Sequence, residues 1–266
     1  MDAATGTVLF SKNGDKQFYP ASITKLMTAL LVAENCSLDD KVTFSATATT
    51  NLEAGAVSIN MTAGDVMSVR QCLYALLLKS ANEVGNALAE HVAGSNAKFA
   101  EMMNAKAAAL GCTNTHFTNP HGLNDSNHYT TPHDMALIAR ELLKHEEYRS
   151  MMSETDYEIP PTNLQTETRY LHGQHQMLNP NSIYYYKDAI GGKTGYTVEA
   201  GNTLVTYAER DGLTLIAVVM KCNGAEHYTD TAALFDYGFA NYASVKIAAV
   251  SDYTSTVPVT ETYNKK

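Results

Sequence analysis

The chain has 266 residues, 45% of them hydrophobic and 18% charged, a composition that excludes a wholly disordered, collagen-like or coiled-coil protein. At that length it makes one large domain or two small ones and buries about 70–75% of its unfolded surface, so folding needs neither metal nor disulfide. Nineteen Lys and Arg stand against 28 Asp and Glu, and the resulting charge of −9 excludes nucleic acid as a partner, because phosphate backbones attract basic surfaces.

The start, Met1-Asp2-Ala3-Ala4-Thr5-Gly6, lacks the basic n-region and apolar h-region of a signal peptide and reads as the beginning of a strand in a mature or trimmed chain. Thr7 to Phe10 is predicted as a strand, and Asn13-Gly14-Asp15 as a hairpin turn. From Ser22 to Ala33, the residues Ile23, Leu26, Met27, Leu30 and Leu31 recur three or four apart, one apolar helical stripe directly after Tyr19-Pro20. Met67 to Leu78 predicts a second helix, apolar on most of its surface. Val84 to Val92 and Phe99 to Leu110 predict two more, the latter closed by Gly111. Thr131-Pro132-His133-Asp134 is a helix start, with Thr as cap and Pro in the first position, leading into Met135, Leu137, Ile138, Leu142 and Leu143.

Beyond this helical middle the period changes. Leu204 to Tyr207 and Leu213 to Met220 predict two strands joined at Arg210-Asp211-Gly212, then a helix over Thr231 to Phe239 and a strand over Val245 to Val250. Ser251 to Lys266 is Thr-rich and polar, a linker or the first strand of a further unit. The expected class is α+β, one antiparallel sheet assembled from both chain ends with helices packed on it. No apolar run approaches the ~18–20 residues of a membrane-spanning helix. Cys36, Cys72, Cys112 and Cys222 are widely spaced without a CxxC, so there is no zinc or thioredoxin signal; they allow three disulfide pairings or none, and free, buried thiols are favoured.

Three segments carry candidate chemistry. In Ser22-Ile23-Thr24-Lys25 the first and last residues share a helix face, so the Lys25 amine reaches the Ser22 hydroxyl. A serine attacks only when a base removes its proton, and lysine is that base only as the neutral amine, which burial among apolar neighbours favours. The same spacing in Ser95-Asn96-Ala97-Lys98 lies among polar residues and reads as an ordinary helix start. Ser80-Ala81-Asn82 falls at a break between two apolar helices, where short polar side chains can enter a cleft or merely cap a helix; Ser58-Ile59-Asn60 repeats the triplet, so it decides nothing alone. In Gly191-Gly192-Lys193-Thr194-Gly195-Tyr196-Thr197, Lys193 brings charge, Thr194 a hydroxyl, and Gly195 room for a close backbone approach. Together these suit a peptide ending in a carboxylate docked along a sheet edge. A phosphate loop would need a Gly four residues before Gly-Lys, which Tyr186-Lys187-Asp188 upstream does not supply.

The three in this order resemble the serine penicillin-recognising enzymes with their S-x-x-K, S-x-N and K-T-G elements. The likeness is nearer to the low-molecular-mass D-alanyl-D-alanine carboxypeptidases of peptidase family S11, on Pro20 to Thr28, Asn119-Pro120-His121-Gly122-Leu123 with His128-Tyr129-Thr130-Thr131, Gly192 to Thr197 with Ala200-Gly201-Asn202, and Leu234 to Phe239. It implies Ser22 as nucleophile, Lys25 as base and Ser80 as proton relay. It further implies Asn82 on the substrate amide, Lys193 and Thr194 toward its carboxylate, and the Ser22 and Tyr196 N–H groups as the oxyanion hole. Many members carry an Arg where this chain has His227, so carboxylate recognition is expected either to rest on Thr194 and Thr197 or to become pH-sensitive through His227. The implied fold is the β-lactamase/DD-peptidase-like α/β/α sandwich around an antiparallel sheet, with an all-α lobe. Residues 1–243 would form the catalytic domain, and residues 244–266 a last strand and linker toward a C-terminal β domain.

His172 with His175, and His121 with Asp125 and His128, lack the H-E-x-x-H face, so no metal and no cofactor is expected. Expected partners are peptidoglycan stem peptides and β-lactam antibiotics, which places the protein outside the cytoplasmic membrane and leaves membrane attachment open. A class A β-lactamase is disfavoured because no E-x-x-x-N lies between Ser80 and Lys193. A D-alanyl endopeptidase and a penicillin-binding module without turnover stay open.

Overall fold

The computed structural model describes residues 1–50, 52–53 and 55–245. A short 3-10 turn, Ala21–Thr24, runs into α1 (Lys25–Asn35), followed by β1 (Lys41–Thr43), α2 (Ala46–Thr50), β2 (Val66–Ser68) and α3 (Val69–Tyr74). A π-helical turn, Ala75–Lys79, leads to α4 (Asn82–Ala93), then α5 (Asn96–Ala109), α6 (Pro132–Leu142), α7 (Glu146–Ser153), β3 (Asp156–Ile159) and β4 (Arg169–His172). The last elements are β5 (Ala189–Thr197), β6 (Gly201–Arg210), β7 (Leu213–Cys222) and α8 (Glu226–Asn241). Among the described residues no helix is long and apolar enough to cross a membrane.

The chief sheet is antiparallel with order β5-β6-β7. Both of its faces are covered, which explains the nearly continuous burial along β6. Leu204 and Ala208 pack toward α8 with Leu215, Ala217, Tyr228 and Phe235. Val205 and Tyr207 point the other way, into the large core around α1, α4 and α6. Helices on both faces and a mainly helical middle make the fold α+β. Two small antiparallel pairs, β1 with β2 and β3 with β4, flank the helices. Between β6 and β7 the chain turns through Asp211 (φ 51°) and Gly212 (φ 77°), two successive left-handed residues of the kind that match the twist of a tight hairpin.

Helix starts follow local chemistry. Thr131 caps α6 by accepting from the Asp134 N–H (3.0 Å), and Pro132 opens it. Ser95 caps α5 by accepting from the Lys98 N–H, so the second S-x-x-K is a cap. Ser68 and Gln71 close a capping box on α3. Gly111, with φ 84°, follows α5.

Three expectations are corrected. Thr7 to Phe10 forms no strand: the chain pairs with β7 only through Met1 and Ala3, by the bonds Met1 N to Ile216 O, Ile216 N to Met1 O and Ala3 N to Thr214 O. The three full strands of the sheet therefore all come from the C-terminal part of the chain, the N-terminus adding only a short bridge at Asp2 to the β7 edge, and the Asn13–Lys16 turn joins no hairpin. The segment from Met67 to Leu78 is not one helix; β2 takes Met67, and α3 widens into a π turn at Ala75. The strand expected over 245–250 lies outside the described residues except for Val245, which is exposed and in no strand, and 251–266 also lie outside them. All four cysteines are free, with Cys72 and Cys112 buried and Cys36 and Cys222 half-buried.

Candidate active site

The first turn after Pro20 brings Ser22 and Lys25 together. Lys25 is fully buried, and its Nζ donates to Ser22 Oγ (2.9 Å), Asn82 Oδ1 (2.8 Å) and the His121 carbonyl (2.8 Å). Asn82 Nδ2 donates to the Val57 carbonyl, which fixes its oxygen toward the lysine. Two of the three partners of Lys25 are pure acceptors. A neutral Lys25 keeps both of those bonds with its two hydrogens, so its lone pair can face only Ser22. Burial holds the Lys25 amine well below the ordinary lysine range; the charge of Lys193 lowers it further, and Glu83 opposes the shift. The arrangement thus yields a base aimed at one hydroxyl.

The backbone around this pair is tightly constrained. Ala21, just before the serine, sits at φ 50°, a left-handed conformation that a residue with a side chain adopts at a cost of about 1–3 kcal/mol. Thr203 Oγ1 on β6 donates to the Pro20 carbonyl (2.8 Å), and Thr28 Oγ1 donates to the Pro120 carbonyl (2.6 Å). The loop over 119–123 folds as a turn on Asn119, whose Oδ1 accepts from the Gly122 N–H (2.7 Å). Gly122 (φ 87°) passes so close beneath the nucleophile that a Cβ there would lie 1.8 Å from Ala21 O. His128 accepts from the Thr118 N–H at Nδ1, so its Nε2–H donates to Thr24 Oγ1 (2.9 Å). Burial drops His128 to about 3, so this ring is neutral in the folded protein.

Ser80 closes the π turn in the left-handed region (φ 69°), and π turns often mark functional sites. It is 3% exposed, and its hydroxyl is buried with no hydrogen-bond partner among the described residues. Such an unpaired group costs free energy unless a ligand engages it. Lys193 is equally enclosed, and burial lowers it to about 7. Its one hydrogen bond among the described residues goes to the Thr194 carbonyl, which leaves N–H directions for an anion. Gly195 brings β5 against the serine turn: a Cβ on it would lie 2.8 Å from the Ser22 N and 2.4 Å from Thr203 Oγ1. Thr194 is half-buried beside Lys193, and Tyr196 is exposed on the cleft edge. Thr197 Oγ1 accepts from the Ala200 N–H (3.0 Å) and so helps shape the β5–β6 turn. His227 lies in the first turn of α8, buried, with its ring 4.0 Å from that of Tyr228.

Two contributors escape the sequence reading. Glu83, 1% exposed, accepts from the Ser58 hydroxyl and the Ile59 N–H (both 2.7 Å) and stabilises charge on Lys25. The decoy Ser58-Ile59-Asn60 is therefore the scaffold that holds this carboxylate. The His121 carbonyl is the other, since main-chain acceptors leave no trace in residue types. A Glu beside Asn82 at the head of an apolar helix was the available signal for Glu83.

Residues 1–224 match the family described as peptidase S11, D-alanyl-D-alanine carboxypeptidase. The chain belongs to this family. It is 34% identical over 245 residues to the D-alanyl-D-alanine carboxypeptidase DacF of Bacillus subtilis, a match covering 90% of this chain and 60% of that one. With DacB2 of Mycobacterium tuberculosis it shares 33% identity, over 90% of this chain and 80% of the relative. The chain thus spans about three fifths of the first of these relatives and four fifths of the second. In three dimensions it is similar to the Streptomyces K15 DD-transpeptidase, with a TM-score of 0.83, 32% identity, and coverage of 90% of this chain and 95% of that one. Membership in the S11 family agrees with the resemblance drawn from the four motifs.

Proposed function

We propose that this S11 protein is a serine-type D-alanyl-D-alanine carboxypeptidase that removes the terminal D-alanine of peptidoglycan stem peptides through a Ser22 acyl-enzyme, with residues 1–243 as its catalytic unit. The observation that carries this reading is the contact between Ser22 Oγ and a fully buried Lys25 Nζ at 2.9 Å. Neutral Lys25 takes the Ser22 proton as the oxygen attacks the carbonyl of the penultimate D-alanine. The N–H groups of Ser22 and Tyr196 receive the developing oxyanion, where preorganised donors are worth about 2.7–4 kcal/mol each. Lys193 and Thr194, helped by Thr197 and His227, hold the terminal carboxylate, and Asn82 orients the amide on the acyl side. Ser80 passes the proton from Lys25 to the departing D-alanine nitrogen. Water then attacks the ester, Lys25 takes its proton, and Ser22 regains its own.

β-Lactam antibiotics fit the same reading, since they present an acyl centre and a carboxylate at comparable positions. The substrate lies outside the cytoplasmic membrane, and so does the place where this enzyme works. A diacyl-L-Lys-D-Ala-D-Ala peptide should release free D-alanine, and Ser22→Ala should release none. Undiminished release from that variant, or none from the wild type, overturns the assignment. Intact mass after penicillin treatment should show one adduct, lost in Ser22→Ala.

A cavity of about 430 Å³ bordered by Lys193, Thr194, Met152, Gln174, His175 and Asn179 favours a second reading, cleavage of D-alanyl cross-links. Lys193 and Thr194 border it directly, so a leaving group longer than D-alanine would find room beside the proposed carboxylate site. A cross-linked dimer peptide offered beside the pentapeptide separates the two by their relative kcat/KM.

A further inference from the structure

The two helices that begin at the active site also end together. α1 starts at Lys25 and α4 at Asn82, the pair joined by a hydrogen bond of 2.8 Å. At the far end, Cys36 caps the C-terminus of α1, His91 lies in the last turn of α4, and Asp40 follows in the loop before β1. One ligand atom from each of Cys36, Asp40 and His91 lies within 4.8 Å of the other two, the one such trio of His, Cys, Asp or Glu among the described residues. Cys36 and Asp40 are neighbours in sequence, but His91 arrives only through the packing of α4 on α1.

We propose that Cys36, Asp40 and His91 form a site for a borderline-soft divalent cation of the zinc class, which clamps the C-terminal ends of α1 and α4. The donor set is one sulfur, one imidazole nitrogen and one carboxylate oxygen, three protein ligands that leave a fourth tetrahedral position for water. A thiolate and an imidazole together select against magnesium and calcium, which prefer all-oxygen shells. Ligand atoms at zinc bond lengths stand roughly 3.5 Å apart, so the trio closes on an ion through side-chain movements of about 1 Å. Both helix ends present unpaired carbonyls and the negative pole of the helix dipole, which adds to the attraction for a cation.

The loop is already held in place. The Ser37 N–H donates to Asp40 Oδ2 (2.9 Å), leaving Oδ1 for a metal, and the Val69 N–H donates to the Asp40 carbonyl (2.9 Å). Cys36 is half-buried and also lines a cavity of about 380 Å³ with Arg70, His145, Glu146, Glu147 and Tyr148, which gives an entry path. Binding exchanges the thiol proton for the metal: the S–H bond breaks, a metal–sulfur bond forms, and the proton leaves to solvent. No redox partner is needed. None of the three residues touches the Ser22–Lys25 machinery, so the site stands or falls separately from the proposed peptidase activity.

Cobalt(II), titrated into the whole metal-free chain, is the direct probe. A thiolate-to-cobalt charge-transfer band should rise and saturate at one equivalent, and added zinc should erase it. Cys36→Ser should abolish the band, while Asp40→Asn and His91→Ala should each weaken binding by about tenfold or more. Unchanged melting of each variant without metal shows that it is folded. Zinc should also slow alkylation of Cys36 by iodoacetamide at least about tenfold while leaving Cys222 unaffected. At zinc roughly 100-fold above its dissociation constant the melting temperature should rise by about 5 °C or more. No band, a band that survives Cys36→Ser, or Cys36 alkylation unaffected by zinc overturns the proposal.

Discussion

Gly195→Ala probes the step on which catalysis most depends, the fit of β5 against the serine turn. The glycine is extended, so alanine brings no backbone penalty, and the whole effect is the added methyl. That Cβ would stand 2.8 Å from the Ser22 N, 3.1 Å from the Ile23 N and 2.4 Å from Thr203 Oγ1. The threonine hydroxyl can rotate, but it then releases the Pro20 carbonyl it now holds at 2.8 Å. The two backbone nitrogens cannot rotate. Restoring the nearer one from 2.8 Å to an ordinary 3.4 Å separates strand and turn by about 0.6 Å. Misplacement by 1 Å can cost 10²-fold in rate, so kcat/KM should fall about 10- to 10²-fold, or roughly 1.4–2.7 kcal/mol of barrier. Overpacking should cost about 1–3 kcal/mol of stability, several degrees of melting temperature, without loss of the fold. Stopped-flow acylation by a chromogenic β-lactam and D-alanine release read the rate loss, and thermal melting reads the stability. Gly85→Ala on α4 is the control, because its Cβ would meet nothing nearer than 3.5 Å and a helical glycine replaced by alanine gains about 0.5–1 kcal/mol. Acylation by Gly195→Ala within about threefold of wild type, at unchanged melting temperature, would refute the claim that this contact sets the oxyanion geometry.

Lys193, brought to about 7 by burial, loses its charge as pH rises, so β-lactam acylation and kcat/KM should decline on the alkaline side above about pH 7, and Lys193→Arg should flatten that limb, read from the pH profile of acylation. His128 is near 3 in the folded protein and ordinary when unfolded, so the unfolded state binds the extra proton; its contribution is complete above about pH 6.5 and is lost as pH falls, by up to ~1.4 kcal/mol per pH unit. Melting temperatures measured from pH 7 to 5 should therefore drop, and His128→Gln should make that slope shallower. Thr28→Val removes the donor to the Pro120 carbonyl at 2.6 Å and leaves a buried acceptor unpaired, which should cost about 1–3 kcal/mol in denaturant unfolding and slow acylation through the adjoining His121 carbonyl.

What could be read in advance was what residue spacing encodes. The S-x-x-K turn places Ser22 and Lys25 on one face whatever the rest of the chain does, and the short apolar run Leu213 to Met220, following the Arg210-Asp211-Gly212 turn, reads as a strand. Thr131-Pro132 started α6 where cap chemistry says it should. The errors fall where tertiary context outweighs local pattern. Thr7 to Phe10 has the composition of a strand, yet no sheet edge reaches it, because β7 pairs instead with Met1 and Ala3. The apolar run from Met67 to Leu78 has helical period, but a π turn at Ala75–Lys79 inserts an extra residue per turn and swings Ser80 into the cleft. Of the site itself, side chains were legible and main-chain acceptors were not: the His121 and Val57 carbonyls, which orient Lys25 and Asn82, belong to residues whose identity says nothing about their backbones.

The left-handed residues tell where stability has been given up for geometry. Of the six non-glycine residues at positive φ among those described, Asn13, Asn60 and Asp211 are types that tolerate that conformation readily. Ala21, Ser80 and Lys221 are not; Lys221 is exposed near the end of β7, whereas Ala21 and Ser80 are both buried within the site, one preceding the nucleophile and the other supplying the free hydroxyl. At about 1–3 kcal/mol each, such strain persists only when surrounding contacts overdetermine it. For Ala21 those contacts are the Thr203 bond to Pro20 and the Gly122 backbone packed beneath Ala21 O; for Ser80 they are the apolar π turn behind it and the Ala81 N–H bonded to the Ala75 carbonyl at 3.1 Å. The buried, short-partnered Lys193 and the unpaired Ser80 hydroxyl add desolvation costs of the same kind. The backbone strain is a fixed cost of the site's geometry, whereas the Ser80 hydroxyl and the Lys193 ammonium carry costs that the proposed substrate would relieve, its amide nitrogen at the first and its carboxylate at the second.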